Sequence, residues 1–182
     1  MTLPTSLPYG IRDIRLTPYT DAGATTLGSG VDLPYAQTMK FSEAETFDTL
    51  RGDDSTVTVR GQGPTGTWEL GSGGISLAAV AVMTGATLTT TGTTPNRIQK
   101  LAKNISNVRP WFKAEGQSIS DSGGDLHAVL YRCRMTDTLD GELTDSTFFI
   151  TSAKGQFLGS NLVASLGALY DFVQNETAVA IP

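Results

Sequence analysis

The chain has one histidine, His127, and one cysteine, Cys133. A Ser-His-Asp hydrolytic site needs an imidazole to take the proton of its nucleophile, so any such site here has to be built on His127. In the run HAVLYRC that histidine alternates with Val129 and Tyr131, the spacing of one strand face, which places it on a strand surface rather than in general-base work. One His and one Cys fall short of a Cys/His zinc set, and no GxGxxG, phosphate loop or nucleophile elbow is expected. Glu43 and Glu45 sit two apart on one face of a predicted strand, the one arrangement resembling the carboxylate pair of a glycosidase. Carboxylates so spaced on an exposed strand are normally just solvated. Arg51-Gly52-Asp53 has the letters of an adhesion tripeptide, but it stands where a hairpin needs a turn. The acidic, glycine-rich SDSGGD ending at Asp125 lacks the ligand spacing of a calcium loop and is read as a turn too. The inventory points away from an enzyme and calls for no cofactor or metal.

Composition gives the frame that holds these residues. At 182 residues the chain is long enough for one well-buried core, and no linker or composition shift divides it. Its 20 glycines and many threonines favour strands joined by turns, and its charged fraction of 17% is below the roughly 25% of ordinary soluble domains. A formal charge of −5 argues against a conventional nucleic-acid binder, which needs surplus Lys and Arg to displace counterions. The solitary Cys133 excludes an internal disulfide and fits assembly in a reducing cytoplasm. MTLPTSLPYG has no basic, apolar leader pattern, so no signal peptide is expected. No run approaches the roughly 18 apolar residues of a membrane span.

Residues 1–35 carry Pro4, Pro8 and Pro18 and read as an arm around a short strand, IRDIRLTPY. There Ile11, Asp13 and Arg15 face one way and Arg12, Ile14 and Leu16 the other. A long strand over 37–50 shows Met39, Phe41, Glu43, Glu45 and Phe47 on one face. Thr38, Lys40, Ser42, Ala44, Thr46 and Asp48 take the other. Arg51-Gly52-Asp53-Asp54 then supplies turn chemistry, with Gly52 to accept positive φ and Asp to close the turn. The return strand places Val57 and Val59 in one phase but Trp68 and Leu70 in the opposite one. A bulge or bend is therefore expected among Gly61, Gly63, Pro64 and Gly66. GGISLAAVAVMTG is apolar on all sides and reads as a short helix over about 76–84, capped by Ser76 and stopped by Gly85, with a buried strand as the alternative. Residues 96–107 suit either a helix or a strand. A second hairpin is expected over 126–151, and ETAVAIP is a candidate terminal strand.

The order of FDTLRGDDSTVTVRGQGPTGTWEL, GGISLAAVAVMTG and RPWFKAEGQSISDSGGDLHAVLYRCR resembles the major tail proteins of long-tailed, non-contractile bacteriophages, over most of the chain. The resemblance implies a mainly β, sandwich- or barrel-like tail tube fold in one domain over 1–182, with a short flanking helix and extended arm and loops. It also favours a strand within 97–107. Such subunits stack as hexameric rings whose inner strands close into one continuous barrel, a virion conduit for genome delivery built from subunits made in the host cytoplasm. The implied partners are further copies of itself and the tape measure, tail terminator and distal tail proteins. Genomic DNA would pass transiently without specific binding, and no membrane insertion is implied. The lumen face is then expected to carry Lys40, Ser42, Thr46 and Asp48, with Thr56, Thr58 and Arg60 opposite. That wall is mostly small and polar with few cations, while Met39, Phe41 and Phe47 point into protein. The Arg51, Gly52, Asp53 and Asp54 turn is expected between subunits. Two alternatives share parts of this pattern: the tube protein of a contractile injection or secretion system, and a carbohydrate-binding β-sandwich module, for which Trp68, Trp111 and scattered tyrosines are the available aromatics.

Overall fold

The computed structural model describes residues 3, 5–140, 145 and 151–181. The chain is mainly β, with antiparallel sheets and one short α-helix. β1 (Pro8–Pro18), β2 (Val31–Asp32), β3 (Ala36–Gly52), β4 (Ser55–Ser72), β7 (Phe112–Ser120), β8 (Asp125–Asp140), β9 (Thr151–Leu158) and β10 (Tyr170–Asn175) form one sheet. β5 (Thr87–Thr91) and β6 (Ile98–Ala102) form a separate hairpin, so the ambiguous 96–107 segment contains a strand. The main sheet runs β2-β1-β7-β8-β9-β4-β3. β8 is its pivot: the first half pairs with β7 and β10, and the second half pairs with β9.

The alternation in β1 holds where it matters, since Ile14 and Leu16 are both fully buried. Ile11 also packs against the core, because the pairing with β7 slips between Tyr9 and Asp13. The residues expected to flank β1 as an extended arm are largely part of the body. Tyr19 bridges to Leu27, β2 pairs with β1, and Ala24 and Leu33 are buried.

The sheet curls around a core of Ile14, Leu16, Trp68, Leu70, Phe112, Leu130, Met135 and Phe157, with Met39 and Phe41 packed at its border. Trp68 meets Phe112 edge-on at 5.4 Å between centroids, the arrangement ring quadrupoles favour. Gly66 is required by packing: a Cβ there would lie 2.1 Å from the Phe157 ring.

The helix α1 (Leu77–Thr84) covers one side of this core. Ser76 Oγ accepts from the Ala79 amide at 3.3 Å, and Gly85 takes φ 71° while its amide donates to the Ala81 carbonyl. These local caps set both ends of a segment with no polar stripe of its own; an N-cap of this kind contributes about 1 kcal/mol.

The expected terminal strand is displaced. β10 ends at Asn175, and residues 176–181 continue outside any strand. The reason is Asp125, a fully buried carboxylate that takes the Val179 amide at 2.9 Å, the donor a sheet ladder would need. The turn expected between β8 and β9 falls mostly outside the described residues.

Candidate functional site

β3 and β4 pair continuously from Ala36 opposite Ser72 to Gly52 opposite Ser55. At the base, Met39, Phe41, Trp68 and Leu70 turn into the core. From Ser42 to Thr65 every residue is exposed except half-buried Gly52, so this length of the hairpin leaves the body behind. At about 3.3 Å per residue, β3 carries the tip roughly 35 Å beyond Ser42.

Two slips in register shape the projection. β4 inserts one extra residue between the pairs Glu45–Pro64 and Phe47–Gly61, with Gly63 at φ 90°, the bulge expected from its glycines. Two carboxylates brace it: Glu45 Oε1 accepts from the Gly63 amide at 3.3 Å, and Asp48 Oδ2 accepts from Gln62 Nε2 at 2.6 Å. Glu43 instead accepts from the Tyr170 hydroxyl at 2.9 Å, so Glu43 and Glu45 hold separate structural bonds. Gly61, Gly63 and Gly66 do fall at GxGxxG spacing, which corrects the expectation that this motif is absent. They lie inside β4 with no helix following directly, so they form no helix-terminal phosphate cradle. The second slip lies between the pairs Leu50–Thr58 and Arg51–Thr56. At the tip the left-handed residues are Asp53 (φ 49°) and Asp54 (φ 60°), not Gly52 as expected. Asp tolerates this conformation because its short side chain can bond locally.

Residues directly opposite in an antiparallel pair share a face, so the register assigns the expected lumen residues. Lys40 lies opposite Glu69 and Glu69 opposite Lys154, whose Nζ reaches Glu69 Oε1 at 3.3 Å. Ser42, Thr67, Gln156 and Arg134 form the neighbouring row across four strands. Farther out, Asp48 faces Arg60 and Thr58 faces Leu50, while Thr46 stands against the bulge. Thr56 is the exception: it pairs with Arg51 and shares that residue's face, because the second slip shifts the phase. The face also carries more cations than expected, since the sheet adds Lys154 and Arg134 from strands that β3 and β4 alone do not reveal. Phe47 needs a correction as well. It shares the Met39 and Phe41 face but is 58% exposed, because that face has run past the body. Leu50, Val57 and Val59 are similarly uncovered.

At the β8 border of this face, Arg132 and Arg134 lie over the Trp111 ring, 5.3 and 4.4 Å from its centroid. Arg134 Nε donates to the Arg109 carbonyl, and Arg109 donates to the carbonyls of Met135 and Asp137. Trp68 is in the core at 2% exposure and Trp111 is covered by arginine, so neither offers the open ring face a sugar platform needs.

His127 is buried on β8 as a strand-face residue. Its Nε2 lies 2.9 Å from Asp125 Oδ2 and 3.1 Å from the Val179 carbonyl. Burial raises the pKa of Asp125, but hydrogen bonds from Gln117, Val179, Asn175 and His127 outweigh it and hold the group at about 2. This network ties residues 175–179 to β7 and β8. Among the described residues, no cluster of three or more His, Cys, Asp or Glu is placed to hold a metal ion. No family model matches the chain, and no curated protein matches it.

Proposed function

We propose that this chain is a structural, self-assembling subunit that stacks as rings into a phage tail tube, a conduit for the viral genome. The observation that carries the reading is the β3–β4 hairpin: a long projection with Phe47, Leu50, Val57 and Val59 uncovered and no core of its own. A two-stranded ribbon of this kind is marginal in water and gains cover only from another surface. β3 is also the last strand of the sheet, so its outer edge is unpaired among the described residues. Ring closure removes such an edge by pairing it with the next subunit. The hexameric count, the virion location and the tape measure, terminator and distal tail partners rest on the resemblance alone.

A wall made of the Lys40, Ser42, Thr46 and Asp48 face would be mixed in charge, with Glu69 and Asp48 set against Lys40, Lys154, Arg60 and Arg134. Four cations against two carboxylates leave this face net positive, with Glu69 opposite Lys40 and Lys154 and Asp48 opposite Arg60 as the groups that break up a cationic track for DNA. Analytical sedimentation and negative-stain microscopy over a concentration series test the proposal. Rings or tubes are the expected result, and a monomer under every condition, including in a native virion extract, refutes it.

A further inference from the structure

We infer that the acidic hairpin turn of one copy docks on the Trp111 arginine cluster of a second copy, a head-to-tail contact that rests on the self-assembly reading above. Charge complementarity carries it. Between residues 42 and 65 the hairpin bears five carboxylates against Arg51 and Arg60. Glu43, Glu45 and Asp48 are engaged by Tyr170, Gly63 and Gln62, which leaves Asp53 and Asp54 at the exposed tip with no partner among the described residues.

The receiving surface has the opposite need. Arg132 and Arg134 lie over one indole, Arg109 donates to the carbonyls of Met135 and Asp137 beside them, and none of the three forms an ion pair among the described residues. Arg132 Nε is buried without an acceptor. Asp21 lines the same hollow but is taken up by Thr25 and Thr26, so the half-buried guanidinium groups hold no carboxylate at contact distance among the described residues and are stabilised by one brought from outside, in charge-assisted bonds.

Placement makes the two surfaces ends of one contact. Arg134 lies in the row that contains Ser42, and Arg109 reaches Met135 and Asp137 on the side of that row away from the tip. The hairpin leaves Ser42 in the other direction for roughly 35 Å. No hydrogen bond or ion pair joins it to the three arginines within one chain, among the described residues. The tip and a patch at the level of the hairpin's base are two different surfaces, so their contact is heterologous and repeats from copy to copy.

The test compares full-length wild type with Asp53→Lys/Asp54→Lys, Arg132→Glu/Arg134→Glu and the four-fold combination. Circular dichroism checks folding, and light scattering reads the critical concentration for assembly. The hairpin variant, altered only at an exposed turn, should raise that concentration at least about tenfold, since it sets like charges against each other. The combination should restore assembly. If wild type assembles and the hairpin variant does so at the same concentration, the docking is wrong and self-assembly stands. If wild type does not assemble at all, the self-assembly reading falls and the docking with it.

Discussion

Replacing Asp125 by Asn keeps the size of a fully buried side chain while removing its charge, and the surroundings fix the expected loss. Oδ2 accepts from Gln117 Nε2 at 2.6 Å, the Val179 amide at 2.9 Å and His127 Nε2 at 2.9 Å, and Oδ1 accepts from Asn175 Nδ2 at 2.8 Å. An amide offers one acceptor to these four donors and adds two N–H groups of its own, so at least one donor is left facing another. Losing charge-assisted bonds and stranding a buried donor should cost about 3 kcal/mol at pH 7. The pH dependence gives a second measure. A carboxyl held at about 2 rather than 3.8 contributes on the order of 2 kcal/mol of stability, present above pH 4 and lost as the pH falls towards 2. Urea unfolding of both proteins at pH 7, 4 and 2.5 reads both effects. Wild type should lose stability steeply below pH 4, and the Asn variant should start lower and lack that part of the slope. The amide oxygen serves most donors where Oδ2 stood, so the stranded donor should be Asn175 Nδ2, and the Val179 amide should exchange faster only because its bond loses the charge. Equal stability at pH 7 within about 0.5 kcal/mol, or identical acid slopes, would refute the assigned role of Asp125.

Phe41→Arg should destabilise the chain by about 2–4 kcal/mol, since Phe41 packs on the rings of Phe172 and Tyr170 at the border of the core. Phe47→Arg, on the same face but exposed, should melt like wild type and lose only assembly; thermal unfolding with light scattering separates the two. Ser42→Arg with Thr46→Arg should leave folding intact and still give tubes, now lined with added positive charge. DNA transit through them should be slower and strongly salt-dependent, and a failure to fold would show that this face is buried. Amides of residues 46–59 should exchange rapidly in the monomer and slowly in the assembled form; strong protection in both states would mean that the hairpin is stable by itself.

What the sequence determined is the local part of this molecule. Period-two alternation marks β1 and β3, because a pleated strand with one face on the core needs apolar residues at every second position, whereas the expected β8 face of Val129, Tyr131, Cys133 and Met135 breaks at a slip against β7 that buries Leu130 in place of Tyr131. Ser76 and Gly85 mark α1 because a helix end is satisfied by its own neighbours, and the phase change between Val59 and Trp68 reports a bulge because a strand cannot switch faces without one. The tertiary structure decided whatever depends on residues far apart in the chain. Thr56 shares a face with Arg51 and not with Thr58 because of a one-residue slip, and alternation along a single strand carries no record of its partner's register. Phe47 follows the same alternation as Met39 and Phe41, yet it is exposed because the body ends before it, a limit set by the other strands. Residues 176–181 have strand-like composition but leave the sheet because a carboxylate 54 positions earlier takes the Val179 amide. Trp111, read as a free aromatic, lies under Arg132 and Arg134 because β8 brings both guanidinium groups onto it, which no spacing within either segment encodes.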